Sequence, residues 1–254
     1  SVFTSASTGI TSGTTYGTFT LSSSKAITVT GNASTLVNAG VTAGTYATQT
    51  AYTSTTSGSS TAFTAGDFTI NGVNVGSSLA TSDNFSTTGN ATSAIAKSAA
   101  INSISGLTGV TATANANTDS GAAMTLAAGS GTFTINGVTT GTITLGGTDA
   151  TKDRAAVITA INAVSGRTGV TAVDGGTSAL GVNLVAADGR NIAIAATSSA
   201  GSVFTSASTG VTFATATVYG TYTLSSAKSF TVAQGASPTN SLSSIAMVTA
   251  GTYG

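Results

Sequence analysis

The sequence predicts an α+β protein that is mostly β: small antiparallel sheets with one helix packed on each of two repeated ββαβ units, flanked by all-β segments. Three observations carry this. FTINGV stands at residues 68–73 and returns at 133–138. Each copy is followed by an Ala/Ile-rich phrase, AINSISGLTGVTA at 100–112 and AINAVSGRTGVTA at 160–172. The two ends of the chain also repeat one another: SVFTSASTG at 1–9 and 202–210, YGTFTLSSSKAITV at 16–29 and YGTYTLSSAKSFTV at 219–232, VTAGTY at 41–46 and 248–253. Such self-similarity marks a chain built from copied units.

In the first flank, Tyr16, Thr18 and Thr20 alternate with Gly17, Phe19 and Leu21, the period of a strand. Ala26–Val29 reads as a second strand after the Ser-rich turn at 22–24. Segment 50–61, TAYTSTTSGSST, reads as a linker from its Ser, Thr and Gly content. The first repeated unit then spans 62–127 and the second 128–201. The flanks, 1–49 and 202–254, form either one discontinuous subdomain or parts of a tandem array.

Within each unit, Phe68, Ile70 and Val73 are apolar with Thr69 and Asn71 among them. Asn-Gly favours a two-residue type I′ hairpin, because both central residues need positive φ. Asn71-Gly72 and Asn136-Gly137, with Ile70 and Ile135 before them, are therefore expected to reverse the chain. Thr142–Leu145 alternates strictly and continues the sheet. Asp149 or Thr151 caps the helix that follows. Val157, Ile158, Ile161 and Val164 lie on one helical face. Gly166 is expected as its left-handed stop. The first copy runs in parallel from Asn90 through Ile95, Ile101 and Ile104 to Gly106. TGVTA then reads as a strand, and a last strand carries Met124 and Leu126 in one copy, Val182 and Leu184 in the other.

The 254 residues include only seven Lys or Arg and seven Asp, with no Glu, His or Cys, so the net charge is zero. Nucleic-acid partners need clustered cations to replace phosphate counterions, and no cluster is present. No apolar run reaches the ~18 residues of a membrane span. A chain without Cys, rich in Thr, Ser and Gly, reads as an extracellular bacterial surface protein. Residue 1 is Ser, which reads as a fragment or a processed product.

Without His, Cys or Glu, the usual general base, thiolate and metal-ligand sets are missing, so no catalytic residue, cofactor or metal is expected. Ser22-x-x-Lys25 and Ser225-x-x-Lys228 match an acyl-transfer pattern. They fall in polar turns, whereas that chemistry sets the Ser at a helix start. Asp149 and Asp153, with Lys152 and Arg154, read as helix-start charges. Asp174 or Asp188 with loop carbonyls is the weak calcium candidate. Asn32-Ala-Ser, Asn84-Phe-Ser and Asn90-Ala-Thr are formal glycan acceptors. Tyr46, Tyr52 and Tyr253 are the aromatic candidates for a binding patch.

FTINGV followed by TITL, an Ala/Ile helix and AINxxSGxTGVTA resembles the IN motif of bacterial flagellins and of related filament-capping proteins. The pair that names it is Ile70-Asn71 and Ile135-Asn136. The resemblance covers roughly 66–113 and 131–173. It implies a non-catalytic structural protein: the solvent-exposed outer domains of a flagellar filament subunit, extracellular and acting in motility. Its partners would be other copies of the subunit, joined through terminal helices that this chain lacks, with surface glycans open. The alternative is a filament-cap-like, adhesin or phage-tail binding module that recognises a surface partner.

Overall fold

The computed structural model describes residues 27–32, 44–46, 50–53, 58–213 and 217–253. The chain divides into two compact units, Ser1–Gln49 and Thr50–Gly254. In the first, β1 (Ile27–Val29) pairs antiparallel with β2 (Gly44–Tyr46), with Ile27 opposite Tyr46 and Val29 opposite Gly44. The strand expected at 16–21, the turn at 22–24 and the SVFTSASTG copy at 1–9 lie outside the described residues.

The second unit begins with β3 (Thr50–Thr53), β4 (Phe68–Ile70) and β5 (Val73–Asn74). Helices α1 (Ala94–Asn102) and α2 (Ser105–Thr108) follow, then β6 (Val110–Ala114) and β7 (Asn117–Asp119). Next come β8 (Gly129–Ile135), β9 (Val138–Thr139), β10 (Ile143–Leu145), α3 (Ala150–Asn162) and α4 (Ser165–Thr168). The chain continues through β11 (Thr171–Asp174), β12 (Val182–Ala186), β13 (Ile194–Ser198) and α5 (Ser206–Thr209). It closes with β14 (Tyr222–Ser226), β15 (Phe230–Gln234) and β16 (Gly251–Tyr253). The fold is α+β and mostly β, in small antiparallel sheets.

The strands assemble in two matching sets. Around the second FTINGV, β8 joins β9 in the hairpin and lies between β10 and β13, while β12 lies between β11 and β7. Around the first, β4 joins β5 and pairs with β15, while β14 lies between β6 and β3. The registers match as well: Ala172 faces Leu184 as Ala112 faces Leu224. Residues 115–221 therefore stand between two paired strands of the first set. Each set buries its own core. Phe68, Ile70, Ile101, Val110 and Leu224 belong to one; Phe133, Ile135, Ile161, Val170 and Leu184 belong to the other.

Several expectations are corrected here. Residues 50–53 of the expected linker form β3, because Tyr52 and its neighbours pair along β14. The flank at 202–254 is not all β, since Ser206–Thr209 is a helical turn. The alternating stretch Met124–Leu126 makes no strand. The place beside β6 is filled by β14 instead, and Met124 and Thr125 hydrogen-bond individually to Ser178 and Ala207. The first helix starts later than expected: Asn90–Thr92 is a separate 3-10 turn, and Ser93 caps α1 by accepting from the Ala96 N–H.

Candidate functional site

The two IN asparagines hold the same set of bonds. Asn71 and Asn136 sit at φ 50° and 46°, followed by Gly72 and Gly137 at 76° and 79°, as a type I′ turn demands. The Asn71 amide N–H donates to the Thr231 carbonyl at 2.9 Å, and its side-chain oxygen accepts the Thr231 N–H at 2.8 Å. Its side-chain nitrogen donates to the Thr108 carbonyl at 2.8 Å. Asn136 repeats this on Ala193, at 2.8 and 2.9 Å, and on the Thr168 carbonyl at 3.0 Å. One carboxamide thus ties three elements: the hairpin, the last carbonyl of a short helix, and the approach to a third strand. The lock differs in depth. Asn136 is 5% exposed, whereas Asn71 is exposed.

A second asparagine completes each unit. The Asn102 carboxamide accepts from the Ala112 N–H at 2.7 Å and donates to the Ala112 carbonyl at 2.8 Å. Asn162 does the same on Ala172, at 2.8 and 3.1 Å. The side chain thereby acts as one more strand rung and fastens the helix end to the sheet. Between the two locks, α2 and α4 each end in Thr-Gly-Val. Gly109 and Gly169 take left-handed φ of 69°, and the Thr108 and Thr168 hydroxyls accept from Val110 and Val170 N–H at 3.2 and 3.1 Å.

This corrects the expected helix stops. Gly106 and Gly166 lie inside α2 and α4 and are not at positive φ. The long helix ends at the Asn, and the chain makes one more helical turn before the left-handed glycine. A third copy of this turn went unread in the sequence. Ser206–Thr209 is followed by Gly210 at φ 73° and Val211, whose N–H donates to the Thr209 hydroxyl at 3.3 Å. The signal was the shared Ser-x-x-Thr-Gly-Val of SGLTGV, SGRTGV and SASTGV.

The remaining candidates serve structure. Asp149 caps α3, accepting from Thr151 and Lys152 N–H at 2.9 and 3.2 Å. Asp153 accepts from Gly146 and Gly147 N–H and pins the loop before the helix. Asp174 pairs with Arg154 at 2.7 Å and Asp188 with Arg190 at 2.5 Å, so both calcium candidates already face guanidinium groups. Hydrogen bonds from the Gly176 N–H and Arg154 hold the Asp174 carboxyl below its ordinary range, against a smaller opposing effect of burial. Ser225 lies on β14 and Lys228 is exposed in the turn beyond it; Ser22 and Lys25 lie outside the described residues. The Asn90 side-chain nitrogen donates to the Asp83 and Ser86 carbonyls. Tyr253 stacks on Phe230 with ring centroids 5.4 Å apart. A groove of about 480 Å³ between β10 and α3 is walled by Gly141–Thr144 and by Ala155, Ala156, Thr159, Ala160 and Ala163, none of them titratable.

One buried cation was not singled out in the sequence. Lys97 is 2% exposed and occupies the place that Val157 fills in the other unit. Its ammonium donates to the Ser59 and Ile245 carbonyls at 3.2 and 3.1 Å and lies 5.6 Å from the Phe63 ring centroid. Burial lowers its pKa to about 8.

The polar atoms of both IN carboxamides are spent on main-chain partners, so the arrangement is that of a structural module: a hairpin locked to a helical turn and a third strand. Residues 132–183 match the family model described as the flagellin hook IN motif. The matched stretch runs from β8 into β12 and contains Asn136, Asn162 and Thr168. A search of curated proteins finds no match. This part of the chain is similar to a flagellin structural domain, and among the described residues no helix is long and apolar enough to cross a membrane.

Proposed function

We propose that the chain forms the solvent-exposed outer region of a bacterial flagellar filament subunit, with a structural and non-catalytic role in motility. The carrying observation is the asparagine lock, built twice in one geometry within the chain and coinciding in its second copy with the flagellin hook IN motif. In this reading each locked unit is a rigid brick. Its hairpin cannot slide against its helix without breaking main-chain bonds on both sides. The uncharged, hydroxyl-rich surface adds bulk in water and leaves filament assembly to other parts of the subunit.

The test is immunogold electron microscopy on intact cells of the source organism, with antibody raised against residues 1–254. Labelling along the length of the flagellar filaments is expected. Labelling confined to the cell body, with bare filaments, would overturn the reading.

A further inference from the structure

In the first IN unit, β15 lies between β4 and β16, so it both receives the IN hairpin and carries the last strand outward. Its register is Phe230 opposite Tyr253 and Val232 opposite Gly251 on one side, and Val232 opposite Ile70 on the other. Thr231 is the residue that Asn71 holds. The first compact unit repeats one half of this arrangement. There, Ile27 faces Tyr46 and Val29 faces Gly44, the same register at aligned residues. The preceding sequence follows suit: 16–29 and 219–232 are identical at ten of fourteen positions, with Leu21 aligned to Leu224, Thr28 to Thr231 and Val29 to Val232. Two of the four differences, Phe19 for Tyr222 and Ile27 for Phe230, keep an apolar residue where β14 and β15 are buried. Yet residues 1–49 contain no Ile-Asn-Gly. The chain thus encodes two sets of closing strands for an IN hairpin of this type, and one of them stands in a unit without such a hairpin.

We propose that residues 16–46 are a docking segment for the IN hairpin and helix of a second copy of this chain, with Thr28 taking the place of Thr231 against Asn71. The occupant is argued from complementarity. A second copy carries the matching half at 68–114, and the two closing segments are similar enough to exchange with little change in buried contacts. The contact is head-to-tail: the amino-terminal strands of one molecule close the sheet of the next, which frees that molecule's own β14 and β15. Such heterologous contacts do not close on themselves and give linear arrays. In dilute solution the tethered C-terminal strands win through effective concentration, so exchange needs high concentration or transient opening. The inference does not depend on the flagellar reading.

The chain has no cysteine, so engineered thiols report cleanly. Thr69 faces Ala233 across β4 and β15, and Thr30 aligns with Ala233. Full-length chains carrying Thr69→Cys or Thr30→Cys alone are mixed, unfolded together, refolded at high concentration and oxidised. A mixture of Thr30→Cys with Leu107→Cys, at a position 76% exposed, is the control. A disulfide-linked heterodimer of the Thr30→Cys and Thr69→Cys chains, at a yield at least roughly tenfold above the control, is expected. Leu224→Lys in the Thr69→Cys chain should raise its yield, and Leu21→Lys in the Thr30→Cys chain should abolish it. A yield no higher than the control with native Leu224, or one indifferent to Leu21→Lys, overturns the proposal.

Discussion

The side-chain nitrogen of Asn136 lies 3.0 Å from the carbonyl oxygen of Thr168, thirty-two residues away, while its side-chain oxygen accepts the Ala193 N–H. Both partners are main-chain groups that lose their bond if the carboxamide is removed. A buried group left unsatisfied costs about 1–3 kcal/mol. Asn136→Ala should therefore destabilise by about 3 kcal/mol in urea unfolding, and Asn71→Ala by about 1 kcal/mol, because water can replace the bonds at the exposed site. Asn136→Gly, which accepts the positive φ, should recover only the small backbone part of the loss.

The correction at the helix ends gives a paired test. Gly109→Ala and Gly169→Ala force a Cβ into left-handed φ and should each cost about 1–2 kcal/mol. Position 169 should cost more, because the new Cβ would meet the Arg190 guanidinium. Gly106→Ala and Gly166→Ala lie in helical turns with nothing within 4 Å of the new Cβ. They should raise the melting temperature slightly, by an amount equivalent to about 0.5–1 kcal/mol.

Lys97 makes stability depend on alkaline pH. Below about pH 8 the folded and unfolded chains both carry the charge, and the folded chain bears its desolvation cost. Between about 8 and the ordinary value of 10.5, the folded chain has released the proton and the unfolded chain has not. Stability therefore rises with pH across that window, by at most about 3 kcal/mol. Tyr222, whose pKa burial pushes up, opposes the rise once the unfolded chain begins to ionise its tyrosines. Lys97→Val, which copies Val157, should flatten the rise in thermal melts recorded from pH 7 to 10.

Asp119 works in the opposite sense at acid pH. Burial raises its pKa to about 6 from 3.8. Between those values the folded chain holds a proton that the unfolded chain has lost, so this group's contribution to stability falls as pH rises. Asp119→Asn should gain on the wild type between pH 4 and 7, read as the difference between the two pH–melting curves.

Much of each brick is legible locally. Asn-Gly gives the turn, Asp149 gives the cap, and the apolar spacing gives α1 and α3. The double ending at Asn102 and Thr108 is not legible, because Gly106 and Gly109 are equally good stops until the Asn102 bonds to Ala112 are seen. The choice of β14 rather than Met124–Leu126 beside β6 is also hidden. Alternation says that a segment can be a strand, not which partner more than a hundred residues away it meets. Lys97 reads as a surface lysine on a helix until residues 59 and 245 close over it.

Because 115–221 stands between β6 and β14, the matching loop at 175–181 between β11 and β12 should also accept long insertions. A small folded domain placed after Gly176 should leave the second unit cooperatively folded in calorimetry.

The most direct test of the asparagine lock is native-state hydrogen exchange by NMR on Asn136→Gly. The Ala193 amide, now held by the Asn136 side chain, should lose protection by about a hundredfold, the equivalent of roughly 3 kcal/mol. The Thr231 amide, held by Asn71 in the other unit, should keep its protection. An Ala193 amide as protected in the variant as in the wild type would contradict the lock.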